Sequence, residues 1–479
     1  MSTPGVVRPL AIASFLVSGA VASAQYVPIR GLDSNGLLVN EGPNRIAGAR
    51  VVGSGRTSAT STWSPVVWDA KGSSLLPLLV GTDSGYATAA DPSGTVVGTV
   101  YDSTRLFSDV ATIWSGGVAI DLATLVTSGG PATLYWANDI DERGRIVVDG
   151  IVYGSYTRGW RTYLFDGGTL LDLGVLDPSS STSSAVALND RGVAAGWSTF
   201  GPNSHACLFE NGHVTDLHVP VVMKDTSSAT ALNRHGWVVG SYSKNPILGG
   251  TPETAFLWDG SAITDLSALS PPMRRALAIN DFGVAVGATY TAVSTPVHAC
   301  SYENGVVTDL NTLVDPALGW LLVVANDIDN EGRITGTGTL NGVDAGWILE
   351  PDCKGTFTLY GHGCAGTAGV EPRLVATGCP APDRPFAFEV RDGLANGLGF
   401  LFLGLGNGTI QVRPGCDLQV APLTLPIVPL LLDGLGGAWL EERLPVGTPT
   451  FDLNLQALCF DPGAARGLSA TKPVALHFE

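Results

Sequence analysis

The side chains that could do chemistry in this chain are few and scattered. Among 479 residues there are seven histidines and seven cysteines. His213 and His218 stand five apart, so on a strand they point to opposite faces, a poor geometry for holding one metal ion. His205 and His298 occupy corresponding places in a repeat, which reads as a strand-edge position rather than two catalytic bases. His235 lies in an Asn-x-x-Gly turn. The chain has no Gly-x-Ser-x-Gly elbow, no His-Glu-x-x-His, no Gly-x-x-x-x-Gly-Lys-Ser/Thr and no strand-to-helix Gly-x-Gly-x-x-Gly. Two acidic turns, at 138–144 and 326–332, carry oxygen ligands at spacings that could begin a calcium loop. The Asp-x-Asp-x-Asp-Gly order with its distal Glu is missing, and Asp141 and Asp329 align with the turn asparagine of other repeats. Structural turns are the expectation, with no cofactor and no catalytic residue assigned.

Cysteine placement divides the chain. Cys207 and Cys300 take the same repeat position on a strand expected to be buried, which suits core thiols. Cys353, Cys364, Cys379, Cys416 and Cys459 crowd the C-terminal region. In an exported chain such crowding reads as disulfides, with one cysteine left over and several pairings open. No Cys-x-x-Cys occurs, so a zinc ribbon or a thioredoxin-like site is not expected.

The elements that must position these residues recur. Seven times between Ile46 and Gly336 a short apolar step is followed by Asn or Asp, two residues, Gly, a β-branched pair and another Gly. Clear copies are ALNDRGVAAG at 187–196, ALNRHGWVVG at 231–240 and AINDFGVAVG at 278–287. The landmark glycines are Gly48, Gly94, Gly144, Gly192, Gly236, Gly283 and Gly332, about 47 residues apart, a period typical of blades or solenoids. Each repeat reads as four strands. Small apolar residues form the first, an Asx turn leads to Gly-x-Val-Val-Gly, an aromatic marks the third, and the fourth closes on Asp-Leu. Four antiparallel strands per unit is the blade of a β-propeller. The last unit stops after GWIL at 346–349 without a fourth strand, while YVPIRGL at 26–32 has no partner in its own unit. Pairing the two would close a seven-bladed ring and remove an aggregation-prone edge. The rival architecture is a solenoid of β-turns.

These residues resemble the HAF-repeat family of probable extracellular proteins, named for a His-Ala-Phe step. Here that step stands as His205-Ala206-Cys207, Thr254-Ala255-Phe256 and His298-Ala299-Cys300. The resemblance covers about residues 26–350 and implies a secreted, propeller-like repeat protein. Arg45 departs from it, standing where the other units have Asn or Asp, and Cys replaces Phe twice.

Residues 1–24 read as an export signal: Arg8, an apolar run from Leu10 to Val21, and Ala22-Ser23-Ala24 before a cut ahead of Gln25. That run is too short to span a bilayer. Charged residues are only 14% and glycines number 61, which suits a turn-rich all-β chain. The net charge of −17 argues against nucleic acid or anionic lipid as the main partner. Propeller repeats are expected over 25–352 and a small β-sandwich-like domain over 353–479, its Pro-bearing strands at edges. The apolar stretches at 397–408 and 423–434 are broken by glycines or by Pro426 and Pro429, so neither is a membrane span. YGHGCAG at 360–366, PGCDLQVAP at 414–422 and LQALCFDPGA at 455–464 resemble a C-terminal module of secreted planctomycete and myxobacterial proteins. That resemblance implies cell-surface or extracellular deployment and a Cys364–Cys416 bond.

Function must then come from surfaces. The varied loops present Tyr101, Arg105, Tyr153, Trp160, Trp197, Tyr242, Tyr290 and Trp320 on one face, where aromatics stack on sugars or anchor peptides, unless they tuck back between blades. The expectation is a secreted binding or surface-architecture protein for a glycan, polymer or protein ligand. The competing class is a propeller hydrolase or lyase acting on extracellular polymers, which would need two or three titratable groups converging on that face.

Overall fold

The computed structural model describes residues 26–31, 37–39, 45–57, 62–131, 133–153, 158–180, 182–218, 226–243, 254–289, 298–413 and 415–479. The expected signal at 1–24 lies outside them. The chain is all-β and divides into two compact units, one of Tyr26–Asp329 with Arg333–Glu350 and one built on Pro351–Glu479.

In the first unit the described strands form seven sheets. A representative one runs Ser183–Leu188, Ala194–Phe200, Asn203–Glu210 and His213–Asp216, antiparallel in chain order. The turn between its first two strands is fixed by Asn189, whose Oδ1 accepts the N–H groups of Arg191 and Val193 at 3.1 Å, while Gly192 takes φ +83°. The first strand slips register between Ala185 and Ala187, and the same bulge recurs at Ala87/Ala89, Ala229/Ala231 and Ala276/Ala278. Its carbonyl presses on the second strand, so a Cβ at Gly196 would collide with Ser184 O. The second glycine of the repeat is therefore a steric requirement of the bulge.

The third and fourth strands are held by the Asp of Asp-Leu. Asp216 Oδ1 accepts the N–H of His218, and Asp309 Oδ1 that of Asn311, while the leucines Leu217 and Leu310 are buried. The Oδ2 atoms face the third strand: His205 Nδ1 lies 3.0 Å from Asp216 and His298 Nδ1 2.6 Å from Asp309. Arg161 meets Asp172 in the same way at 3.0 Å, and the Tyr242 hydroxyl donates to Asp265 at 3.0 Å. The recurrent His is thus a latch between strands three and four. Cys207 and Cys300 are fully buried, and burial pushes both thiols up.

The sheet of Trp320–Ile328, Ile334–Leu340 and Val343–Pro351 takes Tyr26–Gly31 as its fourth strand, as the two chain segments led one to expect. One expectation is corrected. Arg45 pairs with Val52 in the register in which Asp139 pairs with Val147 and Ala187 with Ala195. It therefore lies one step inward of the turn, because the turn around Gly48 is shorter than the others, and the Asx position is not filled by Arg.

In the second unit, the sheet Thr356–Leu359, Val474–Phe478, Phe451–Phe460, Leu398–Gly404 and Leu423–Leu431 faces Arg373–Gly378, Pro385–Arg391 and Ala438–Arg443. Between them lies a core that includes Phe386, Phe388, Leu401, Leu455 and Phe478. The strand bearing Pro426 and Pro429 is terminal in its sheet, where a missing donor costs little. Disulfides join Cys353 to Cys379 and Cys364 to Cys416, and Cys459 is a buried free thiol. Among the described residues no helix is long and apolar enough to cross a membrane.

Candidate functional site

Register, rather than loop length, assembles the candidate site. The residue immediately before the first-strand alanine occupies one equivalent place in six units: Tyr86, Trp136, Ser184, Ser228, Arg275 and Val324. The alanine that follows each of them is invariant, whereas these six places vary in size and polarity. All but Ser184 are partly exposed. They lie at the end of the sheet away from the Asx turns, the end from which the varied loops leave.

Trp136 stacks on Trp160 with ring centroids 4.2 Å apart and planes inclined by 27°. Tyr135 braces Trp160 edge-on at 5.2 Å. Both tryptophans remain half-buried, so the pair is a preformed flat apolar surface. Directly opposite Trp136 in the ladder is Asp149, which is 1% exposed. Its Oδ2 accepts from Ser184 Oγ at 2.7 Å and Asn138 Nδ2 at 2.9 Å, while Oδ1 has no hydrogen-bond partner. Burial without a counter-ion raises this carboxyl to about 7, with the polar side chains of Ser184, Asn138 and Thr162 only partly offsetting it. Tyr86 is near enough to sense the Asp149 charge, and burial pushes its phenol up as well.

The Asx-turn end carries a hydrogen-bond relay from unit to unit. Asn189 Nδ2 donates to Asn233 O, Asn233 Nδ2 to Asn280 O, and Asn280 Nδ2 to Asp329 O, at 3.0, 3.1 and 3.0 Å. Asp cannot donate, and at Asp141 and Asp329 an arginine four residues on does so instead. Arg145 bonds Asp141 and donates to Asp190 O, and Arg333 bonds Asp329 and donates to Gly48 O. Their carboxylates accept from these arginines and from turn N–H groups, the hydrogen bonding of a structural Asx turn. One level inward, Asp139 Oδ2 accepts the Leu188 N–H of the next unit at 2.8 Å, and Asp327 Oδ2 accepts the Ile46 N–H at 2.7 Å. Burial raises both carboxyls, Asp327 to about 6, and the Arg45 charge opposes the rise in each. Burial disfavours the Arg45 cation, yet Asp139 and Asp327 together hold it more firmly protonated.

Of the residues expected on the loop face, only Trp160 joins a described aromatic cluster. Tyr101, Trp197 and Trp320 are partly exposed in separate units, and Arg105 is exposed and paired with Asp102 at 3.1 Å. Tyr242 is instead buried, its hydroxyl spent on Asp265, so its ring is withdrawn from the surface. Tyr290 and the side chain of Tyr153 lie outside the described residues. Trp136 and Asp149 escaped a search of loops because both are strand residues. Aligning the units on the first-strand alanine would have exposed them, since Trp is out of scale at that position.

No family model matches the chain, and no curated protein matches it. Among solved structures the chain is similar to the β-propeller domain of the Trilobed protease from Pyrococcus furiosus, with TM-score 0.42 and 11% identity over 65% of this chain and 95% of that one. It is also similar to an oligogalacturonate lyase in complex with manganese, with TM-score 0.43 and 14% identity over 68% and 95% of the two chains. A third similar structure is oligogalacturonate lyase from Vibrio parahaemolyticus, with TM-score 0.40 and 11% identity over 67% and 93%.

Proposed function

We propose that this chain is an exported, seven-bladed propeller of the HAF-repeat kind that binds an extracellular glycan, polymer or protein on the Trp136–Trp160 surface. The observation that carries the binding reading is the partly exposed indole stack between an inner-strand residue, Trp136, and Trp160 of the same sheet. A preformed aromatic surface binds with little ordering cost, which is why such residues dominate recognition sites. The pairing of Tyr26–Gly31 with the last three strands, and the relay from Arg333 to Gly48, support a closed ring. Two disulfides in the second unit suit an oxidising compartment.

The hydrolase or lyase reading is less well supported. It draws on Asp149, a carboxyl poised near neutrality. Its described hydrogen-bond partners are an amide and a hydroxyl, so no second acid or base is within hydrogen-bond reach, as the described hydrogen bonds stand.

The test is a glycan and polymer binding array on the purified protein, followed by Trp160→Ala. Binding should fall by about tenfold or more, with the melting temperature nearly unchanged. Unchanged binding would exclude the stack as the site. Turnover of any polymer that disappears in Asp149→Asn would establish the enzyme reading instead.

A further inference from the structure

The end of the first unit opposite the Asx turns exposes apolar tips. Strand order places the turns between second and third strands, and the links between units, at this one end. The hydrogen-bond relay at the other end holds neighbouring units level, so these tips share a face. Leu106 and Phe107 tip the loop that follows Val96–Tyr101 and are 89% and 61% exposed. The loop is tightly bonded beneath them. Asp83 accepts the Ser103 N–H at 2.8 Å and its hydroxyl at 2.6 Å, Asp102 accepts those of Thr104 at 3.0 and 2.6 Å, and the Ser108 hydroxyl donates to Asp102 O at 2.9 Å. Phe107 holds φ +58°, a conformation that a bulky side chain adopts against its preference. The Asp83 bonds also tie in the preceding link, which carries exposed Val80. Phe200 is exposed at the turn between Ala194–Phe200 and Asn203–Glu210. Leu318 and Val343 are exposed on segments that meet where the Asn341 N–H donates to Gly319 O at 2.8 Å. Among the described residues the Asx-turn end of this unit exposes Val118 and Val306, with no leucine or phenylalanine.

Leu106, Phe200 and Val343 belong to three different sheets, so a single pocket on a partner could not receive them together. A flat apolar medium meets all of them at once. Tyr101, Trp197 and Trp320, partly exposed at the same end, are the residue types that settle at headgroup level in a lipid interface. Asp83 and Asp102 beside the foremost tip, in a chain of net charge −17, repel an anionic surface. We propose that this end of the first unit docks on an electrically neutral lipid surface, with Leu106, Phe107, Phe200, Leu318 and Val343 entering the headgroup layer. The contact is interfacial, and its strength comes from the apolar area it buries. It is separate from ligand binding on the indole stack and does not depend on it.

The test is co-flotation of the full chain with unilamellar vesicles of phosphatidylcholine alone, which carry neither glycan nor protein, and with vesicles that also contain phosphatidylglycerol. The chain should bind the neutral vesicles, with an affinity that does not fall as salt rises. Leu106→Ser combined with Phe107→Asn should weaken that binding about tenfold or more, since two apolar side chains no longer leave water. Its melting temperature should hold or rise, because asparagine tolerates positive φ better than phenylalanine. Leu318→Ser combined with Val343→Ser, at a tip in another sheet, should weaken vesicle binding in the same way. Absence of binding to phosphatidylcholine, or binding only when phosphatidylglycerol is present, would overturn the proposal. So would undiminished binding by either double variant, since the docking needs tips from more than one sheet.

Discussion

Asp149 shows what one buried carboxyl can do to a whole protein. Its pKa in the fold is about 7, well above the ordinary carboxylate, so the folded state prefers the protonated form. Stability from this group is therefore fully present below about pH 4 and is lost as pH rises towards 7, by on the order of 4 kcal/mol in total. Asp327, at about 6, adds to the same loss over a narrower window. The melting temperature should fall between pH 4 and pH 7, and Asp149→Asn should flatten much of that slope. Thermal melts at pH 4 and pH 8 check it: the variant should exceed the parent at pH 8 and lose that advantage at pH 4. An identical pH profile in the two proteins would mean that Asp149 is ionised within the fold. Little of this was legible in the sequence, because an aspartate on a strand looks like any other until its neighbours are known to be Ser184, Asn138, Trp136 and Thr162.

At the scale of elements the sequence was far more informative, and the reason is geometric. Asn-x-x-Gly names a turn whose side chain caps its own backbone, and the glycine ending the second strand is forced by the bulge carbonyl opposite. The strand pattern and the Asp-Leu ends could therefore be read directly. What periodicity could not supply was the second use of the asparagine, since Nδ2 reaches a carbonyl nearly 50 residues away in sequence. The first unit was misregistered for a related reason: its turn is shorter, so counting from Gly48 set Arg45 in the wrong slot. A prediction follows for Asn233. Replacing it by Ala strips acceptors from the His235 and Trp237 N–H groups and the donor from the O atom of buried Asn280, and an orphaned buried group costs about 1–3 kcal/mol. Asn233→Ala should be strongly destabilised in thermal melts. The same change at Asn211, an exposed residue at φ +50°, should cost much less.

For the whole molecule, the decisive contact joins residues far apart in the chain. Tyr26–Gly31 belongs to the sheet of Val343–Pro351, the Ile46 N–H donates to Asp327, and Gly48 O accepts from Arg333. Deleting residues 25–34 would leave the strand edge of Val343–Pro351 unpaired. The deletion variant should melt at lower temperature and self-associate on size-exclusion chromatography. A monomer as stable as the parent would show that the edge is not needed. The pairing of the two ends was foreseeable because each unit lacked or had to spare one strand. Cys364–Cys416 was foreseeable only by resemblance, and Cys353–Cys379 not at all, since spacing leaves connectivity open.

The two ways of linking neighbouring turns carry an evolutionary consequence. Asn280 does alone what Asp141 needs Arg145 to do and Asp329 needs Arg333 to do. A drift from Asn to Asp would be silent only when accompanied by an arginine four residues on, so these positions should covary as couples among descendants of this repeat. Asp91 is followed by Thr95 rather than Arg, and there Thr88 Oγ1 donates to Ala137 O at 2.6 Å to join the units from another position. A lineage that had lost the arginine would be expected to have kept that threonine.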